Sequence, residues 1–103
     1  MAKEYVLRFL PLFEQDLSAI VDYISGTLQN EVAARNLVDA VEAAILQRLP
    51  FAESFERFSS SHDRKYPYYQ IPVKNYTIFY VVIGNTMEVR RILYGRSNWS
   101  EKL

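Results

Sequence analysis

The chain has 103 residues, of which half are hydrophobic and 23% are charged, and its formal net charge is zero. This is the composition of a globular protein, and the length predicts one domain over residues 1–103. The lack of cysteine excludes a disulfide framework and a thiolate metal site. We find neither a signal peptide nor the roughly 20 apolar residues of a membrane-spanning helix, so we expect a cytoplasmic protein without membrane contact.

The charges are unevenly distributed along the chain. Residues 1–56 carry four basic and nine acidic residues, whereas residues 57–103 carry eight basic and three acidic ones. The two halves therefore have net charges near −5 and +5. Two interpretations stay open: the second half forms a surface for an anionic partner such as nucleic acid, or the two halves neutralise each other in the fold.

The apolar pattern of the first half predicts one strand and two helices. Residues 4–10 are rich in strand formers, and Pro11 both ends this strand and suits the first turn of a helix. Apolar residues at helical spacing predict a first helix that ends near Gly26. A second helix is predicted from the cap residue Asn30 to Pro50, and the short connection makes the two helices an antiparallel hairpin.

The second half changes from a helical pattern to a strand pattern. A loop over residues 51–65, anchored by Phe51, Phe55 and Phe58, precedes the strands. Pro72 places the first of these strands at an edge or a bend of the sheet. The predicted strands are Tyr68–Val73, Tyr76–Ile83 and Met87–Tyr94, and the turns between them are Lys74–Asn75 and Gly84–Asn85.

The predicted fold class is α+β with the order β-α-α-β-β-β. Short turns impose antiparallel pairing on the last three strands, and the first strand must join the same sheet to bury its apolar side chains. A helical hairpin covers only one face of a mainly antiparallel curved sheet, so we expect the other face to be open. On the last strand, alternation predicts one face with Met87, Val89, Arg91 and Leu93 and another with Glu88, Arg90, Ile92 and Tyr94.

Few known catalytic patterns are present. The only histidine, His62, lies in the polar loop tip Ser59–Asp63, where a solvated side chain is the simpler interpretation. No cluster of histidine, cysteine and carboxylate residues predicts a metal site, and no Gly-rich loop predicts a phosphate-bearing cofactor. We therefore expect the protein to use neither a metal nor a cofactor.

Basic residues and tyrosines interleave in the predicted sheet and the tail. Guanidinium groups pair with phosphates, aromatic rings stack on bases, and a basic or phenolic group can activate a 2′-hydroxyl for RNA cleavage. Tyrosines in strands are also common as amphipathic packing residues, so the composition alone does not decide. The basic set is Lys65, Lys74, Arg90, Arg91, Arg96 and Lys102, and the tyrosines are Tyr66, Tyr68, Tyr69, Tyr76, Tyr80 and Tyr94.

A series of short motifs extends over nearly the whole chain. They are Asp16-Leu17-x-x-Ile20-x-x-Tyr23-Ile24, Ala33-Ala34, Leu49-Pro50, the run from Val73 to Val82, and Val89-x-x-Ile92-Leu93-Tyr94-Gly95-Arg96. In their joint order and spacing these motifs resemble the RelE/ParE superfamily of bacterial toxins. The resemblance implies a toxin of a type II toxin–antitoxin pair, neutralised by a cognate antitoxin that wraps the toxin with a disordered or helical segment.

The superfamily has two main activities. RelE-like members cleave messenger RNA on the ribosome without metal, whereas ParE-like members inhibit DNA gyrase and have no established catalytic residues. RelE-like nucleases usually have an arginine where this chain has Thr77, and they end in a catalytic tyrosine or a His-Tyr pair, which the tail from Asn98 to Leu103 lacks. Tyr94 stands where many relatives have histidine, and Arg96 matches a basic position after the last strand. These differences and the neutral net charge favour a ParE-like toxin.

The resemblance therefore implies a ParE-like toxin that acts on DNA gyrase or another essential target. Its alternative is a RelE-like, ribosome-dependent endoribonuclease with Lys65, Tyr94 and Arg96 near the scissile phosphate, and a third hypothesis is a non-toxic binding module on the same fold. Enzymatic activity, and the choice between a homodimer and a toxin–antitoxin hetero-oligomer, stay open. The target-binding residues predicted for the ParE-like hypothesis are Lys74, Arg90, Arg91, Tyr94 and Arg96.

Overall fold

A computed structural model describes residues 4–58, 65–95 and 103 of the chain. The predicted loop tip Ser59–Asp63 and the tail residues 96–102, with Arg96, lie outside the described residues. The elements follow the predicted order, with one additional short strand. Their bounds are β1 (Val6–Phe9), α1 (Pro11–Asp22), α2 (Glu31–Arg48), β2 (Arg57–Phe58), β3 (Tyr68–Val73), β4 (Tyr76–Ile83) and β5 (Thr86–Tyr94).

The strands form one sheet in the order β1-β5-β4-β3-β2. β1 runs parallel to β5, and the other neighbouring strands are antiparallel. The helical hairpin of α1 and α2 packs against one face of this sheet, which confirms the predicted α+β architecture. Neither described helix combines the length and the apolar character that a membrane-spanning segment requires.

The predicted start of α1 at Pro11 and the predicted cap of α2 at Asn30 are both confirmed. Pro11 opens α1, where its missing N–H leaves no hydrogen bond unmade. At the start of α2, the Asn30 side chain accepts a hydrogen bond from the Ala33 N–H at 3.0 Å. α2 ends at Arg48 and passes into a single 3-10 turn, Leu49–Phe51.

The first helical segment ends at Thr27, close to the predicted end near Gly26. Its last turn, Tyr23–Thr27, is π-helical rather than α-helical and includes this glycine. The left-handed residue after the segment is Gln29, with φ of 52°, and not the glycine.

The helix-facing core is continuous across the sheet. Phe13 of α1 and the apolar stripe of α2 pack against alternate side chains of β3, β4 and β5. The buried members of this core are Phe13, Leu37, Val41, Ile45, Ala52, Tyr69, Ile71, Val73, Ile78, Tyr80, Met87, Val89 and Ile92.

A β-bulge interrupts the alternation of side chains on β5. Its pairing to β4 jumps from Val89 to Arg91, so Arg90 is the extra residue of the bulge. As a result Ile92 lies in the helix-facing core and Leu93 in a cluster on the opposite face. The predicted faces are therefore wrong for the second half of β5, because strict alternation does not count the extra residue.

The expectation of an open second face is also wrong. Four side chains on this face form their own buried cluster: Tyr68, Phe79, Val81 and Leu93. Leu103 packs against the cluster, and the Tyr68 hydroxyl donates to the Leu103 carbonyl at 3.5 Å. The C-terminal residue thus returns to the sheet, which the polar character of the tail did not predict.

β3 lies next to the edge rather than at it. The two-residue strand β2 was not predicted, and it covers β3 only at Tyr68 and Tyr69. Beyond that pairing, the edge of β3 carries Gln70 and Pro72, and no strand formed by the described residues lies beside it. The edge position that Pro72 indicated is therefore correct for this half of the strand.

We expect Leu37→Ala in α2 to lower the free energy of unfolding by about 2–5 kcal/mol, because Leu37 is only 1% exposed and truncation leaves a cavity. Leu46→Ala is a matched control on the same helix, since Leu46 is 59% exposed and should change stability by less than about 1 kcal/mol. Urea denaturation of both variants measures the difference. Equal losses in the two variants would contradict the assignment of the core.

Candidate target-binding surface

The β3–β4 turn and the end of β5 bring two of the predicted binding residues together. Lys74 lies in this turn with left-handed backbone geometry (φ of 54°) and an exposed side chain. The Gly95 N–H donates to the Asn75 carbonyl at 3.0 Å and so ties the end of β5 to the turn. Lys74 and Tyr94 consequently line the same shallow groove, with a volume of about 400 Å³.

Tyr94 presents a large aromatic side chain to solvent, with 65% of it exposed. Its ring meets Tyr76 edge-on, with ring centroids 5.4 Å apart. Burial raises the pKa of Tyr76, and the nearby Tyr94 and Tyr23 phenols raise it further, so the Tyr76 hydroxyl stays neutral near pH 7. The pair therefore offers aromatic area and hydroxyl groups for binding, rather than a Tyr76 phenolate for base catalysis.

A larger apolar groove of about 780 Å³ opens on the helix side of the same residues. One wall is the end of the helical hairpin and the other is the β3–β4 turn with Tyr76 and Tyr94. Exposed aromatic rings beside an apolar groove and a lysine are the chemistry of a protein-binding surface. The groove is lined by Ala19, Ile20, Tyr23, Ile24, Leu28, Asn30, Ala33, Leu37, Lys74, Asn75, Tyr76 and Tyr94.

Arg91, another predicted binding residue, is bound to Asp16 of α1. Its Nε and Nη2 groups donate to the two carboxylate oxygens of Asp16 at 2.7 and 2.9 Å. Asp16 also accepts from the Ile92 N–H at 3.2 Å, and its hydrogen bonds to the guanidinium raise the pKa of Arg91. Both side chains are mostly buried, so this arginine joins α1 to β5. The pair links the acidic first half to the basic second half, as one of the two interpretations of the charge pattern predicted.

Arg90 is also held within the protein, on the second face of the sheet. Its Nε donates to Glu88 at 2.8 Å, and its Nη1 donates to the Tyr68 hydroxyl at 3.3 Å. Arg8 of β1 donates to the other carboxylate oxygen of Glu88 at 2.6 Å. Burial raises the pKa of Glu88, but the hydrogen bonds from Arg90 and Arg8 together outweigh it and hold that pKa below its usual range.

The residues of the nuclease hypothesis are not brought together among the described positions. The Lys65 ammonium lies 5.4 Å from the centroid of the Tyr66 ring, and Tyr66 packs on the second face. Tyr94 packs instead on Tyr76, which belongs to the helix-facing core. Arg96 lies outside the described residues.

Thr77 occupies the position where the resemblance to RelE-like nucleases would imply an arginine. It pairs with Leu93 across β4 and β5 and is only 8% exposed. A buried hydroxyl there supplies no positive charge to a phosphate. Within residues 4–58, 65–95 and 103, no group of three or more histidine, cysteine or carboxylate side chains is placed to hold a metal ion.

Two residues with structural or binding potential were missed by sequence reasoning. Asp16 appears in the sequence only as part of the motif of the first helix, yet it binds Arg91 and the backbone of β5. Arg48 contributes its guanidinium to a groove beside β3, although a basic residue in the last turn of a helix is normally explained by the helix dipole. No signal in the sequence distinguishes these roles, because each depends on which strand lies opposite the helix.

We expect Glu88→Gln to lower the free energy of unfolding at pH 7 by about 1–3 kcal/mol, because two arginines lose their carboxylate. The stability that the ionised Glu88 contributes is present above the unfolded-state pKa and is lost as the pH falls through its lowered folded-state pKa. The difference between wild type and Glu88→Gln should therefore shrink below about pH 4. Urea denaturation over a pH series measures it, with the exposed Glu42→Gln as control. A gap that stays constant down to pH 3 would contradict the assignment.

Comparisons with known proteins agree with this fold. The family model described as the ParE toxin of the type II toxin–antitoxin system parDE matches residues 7–99. The chromosomal ParDE system of P. aeruginosa contains a similar structure (TM-score 0.74, 16% identity), with 91% of this chain and 99% of that chain covered. YafQ from E. coli BL21(DE3) is less similar (TM-score 0.50, 12% identity), with 87% of this chain and 92% of that chain covered.

A search of curated proteins gave no match. The two solved structures share the fold at low sequence identity, whereas the family model matches most of the sequence itself. The chain therefore belongs to the ParE toxin family of type II toxin–antitoxin systems.

Proposed function

We propose that this chain arrests growth by binding DNA gyrase or another essential macromolecular machine, and that a cognate antitoxin neutralises it in the bacterial cytoplasm. The single observation that carries this choice of activity is the buried Thr77 at the position of the nuclease arginine. Phosphoryl transfer without metal depends on cations placed around the phosphate. The described sheet puts a neutral, covered side chain at that position.

The target surface that we propose is smaller than the one expected from sequence. Lys74 and Tyr94 face solvent together, and Arg96 follows Tyr94 after Gly95 in the chain. Arg90 and Arg91 are left out of this surface, because each is paired with a carboxylate: Arg90 with Glu88 of the same strand and Arg91 with Asp16 of α1. An exposed tyrosine and a lysine beside an apolar groove match the aromatic core and charged rim of protein interfaces.

The apolar groove at the end of the helical hairpin is suited to a segment of an antitoxin. Its walls include Ile20, Ile24 and Leu28, of which Leu28 is largely exposed. An amphipathic helix or an extended segment would bury these side chains and would also contact Tyr94. Such binding would mask the proposed target surface, which is the physical basis of neutralisation. The complex would then be a toxin–antitoxin hetero-oligomer, with a toxin homodimer as the alternative assembly.

The competing hypothesis is a RelE-like ribosome-dependent endoribonuclease that uses Lys65, Tyr94 and Arg96. Lys65 contacts Tyr66 on the second face, whereas Tyr94 contacts Tyr76 on the helix face. A general base and a phosphate-binding cation must both lie within hydrogen-bond reach of one phosphodiester. The separation of these contacts favours a surface for a protein target over a nuclease site.

We expect induced expression to arrest growth and the purified protein to inhibit DNA supercoiling by gyrase while leaving messenger RNA intact. Lys74→Glu should raise the concentration needed for inhibition at least about tenfold, because it reverses the charge at the centre of the proposed surface. Arg35→Glu is the matched control, since Arg35 is an exposed arginine on α2 that lines none of the described grooves beside the turn.

Two outcomes would overturn the proposal. Cleavage of messenger RNA in codon register in a translation extract, lost in Arg96→Ala, would establish the nuclease hypothesis. Normal growth with soluble, folded protein would instead indicate a binding module without toxicity. Supercoiling inhibition that is insensitive to Lys74→Glu would retain gyrase as the target and remove Lys74 from the surface.

A further inference from the structure

A second groove lies at the opposite end of α2, beside the part of the β3 edge that no described strand covers. We call it the arginine groove. It has a volume of about 420 Å³ and contains two arginines, an aromatic ring and the exposed edge residues of β3. Its lining residues are Arg48, Phe55, Glu56, Arg57, Gln70 and Pro72.

Arg48 is held in place by contacts that leave part of its guanidinium available. Its Nη1 donates to the Gln70 carbonyl and to the Tyr80 hydroxyl, both at 3.1 Å. Its guanidinium carbon lies 3.5 Å from the centroid of the Phe55 ring. The side chain is therefore ordered before any ligand binds, so binding costs little additional conformational entropy.

The two arginines of the groove differ from those of β5 in their partners. Arg90 and Arg91 are each paired with a carboxylate. Within the described part of the chain, neither Arg48 nor Arg57 has a carboxylate within ion-pair distance. A fixed, half-buried arginine beside an exposed one, both lacking an anion, makes a site for an oxyanion, because guanidinium groups bind carboxylates in a planar two-point geometry.

The edge of β3 does not favour addition of another strand at this groove. Pro72 has no N–H to donate, and the Gln70 carbonyl already accepts from Arg48. A partner must therefore be recognised by its side chains. Phe55 is 49% exposed and Phe51, in the preceding turn, is 58% exposed, so apolar side chains of the partner have surfaces to cover.

We propose that the arginine groove docks an acidic segment of a protein partner, with a carboxylate on Arg48 and Arg57 and a neighbouring apolar side chain on Phe55. Arginine and aromatic residues together are the residues that dominate protein interfaces. A nucleic acid is less well matched, because the two positive charges of Arg48 and Arg57 and the one negative charge of Glu56 leave a net charge near +1, which suits one or two carboxylates better than a continuous chain of phosphates.

The groove is continuous with the target surface around Lys74. Gln70 and Pro72 line both the arginine groove and the shallow groove that holds Lys74 and Tyr94. A segment lying along the edge of β3 would therefore pass three cations: Lys74, then Arg48 beside Gln70, then Arg57 beside Tyr69. This docking site goes beyond the proposed function. It does not depend on which protein the toxin inhibits, because the docked segment is defined only by its acidic and apolar side chains.

The test is an NMR titration of the isotope-labelled full chain with capped peptides of defined composition. The probe alternates glutamate with leucine, and its counterpart replaces every glutamate with glutamine. We expect the glutamate peptide to shift the Phe55, Arg57 and Gln70 amides and the Arg48 Nε–H at about millimolar concentration. Arg57→Glu should weaken this binding at least about tenfold, whereas Arg35→Glu, the same charge reversal on the exposed face of α2, should not.

The exposed position of Arg57 makes its substitution compatible with folding, and the dispersion of the amide spectrum verifies this in each variant. Equal binding of the glutamine peptide would overturn the proposal, as would shifts at the groove that persist in Arg57→Glu. Tighter binding of an oligothymidylate of the same length at these amides would assign the groove to nucleic acid instead. Absence of shifts up to about 5 mM peptide would also overturn it. The growth assay is separate from this readout, so failure of the groove and failure of the toxin hypothesis are distinguishable.

Discussion

The contact between Asp16 and β5 holds the two layers of this protein in their relative position. β1 pairs with β5 only as far as Phe9 opposite Val89, so within the described residues the rest of that edge of β5 has no neighbouring strand. Asp16 takes the place of a strand there by accepting from the Ile92 N–H and from Arg91 at 2.7 Å. One carboxylate therefore satisfies a backbone donor and a buried arginine together, which leaves neither group unpaired.

The bulge at Arg90 adjoins this contact and shifts the alternation of side chains along β5. It lets Arg91 reach α1 while Arg90 stays on the second face with Glu88. Because the bulge shifts the alternation by one residue, β5 supplies apolar side chains to both clusters. A sheet buried on both faces leaves its function to its ends and edges. The exposed groups accordingly collect at the Lys74 turn and beside β3.

Four described basic residues of the second half fall into two pairs with different roles. Arg90 and Arg91 on β5 are bound to carboxylates and stabilise the fold. Lys74 and Arg57 are exposed, and with Arg48 of the first half they lie along the outer edge of β3. The positive charge of these three residues is therefore spread along an edge with aromatic neighbours rather than over one broad face. That distribution suits a partner with a narrow acidic and apolar segment better than a duplex with a continuous phosphate backbone.

The sequence by itself determined the order of elements, the Asn30 cap, the Lys74–Asn75 turn and the family, because these depend on local spacing and on contiguous motifs. Only the tertiary structure decided the bulge, the strand β2, the burial of the second face and the partners of Asp16, Arg48 and Arg91. Each of these depends on which groups meet across long sequence separations. The sequence does not show whether a charged residue faces solvent or pairs with a carboxylate 75 positions away, as Arg91 does with Asp16. Only the packing of the helix against the sheet decides between these two environments.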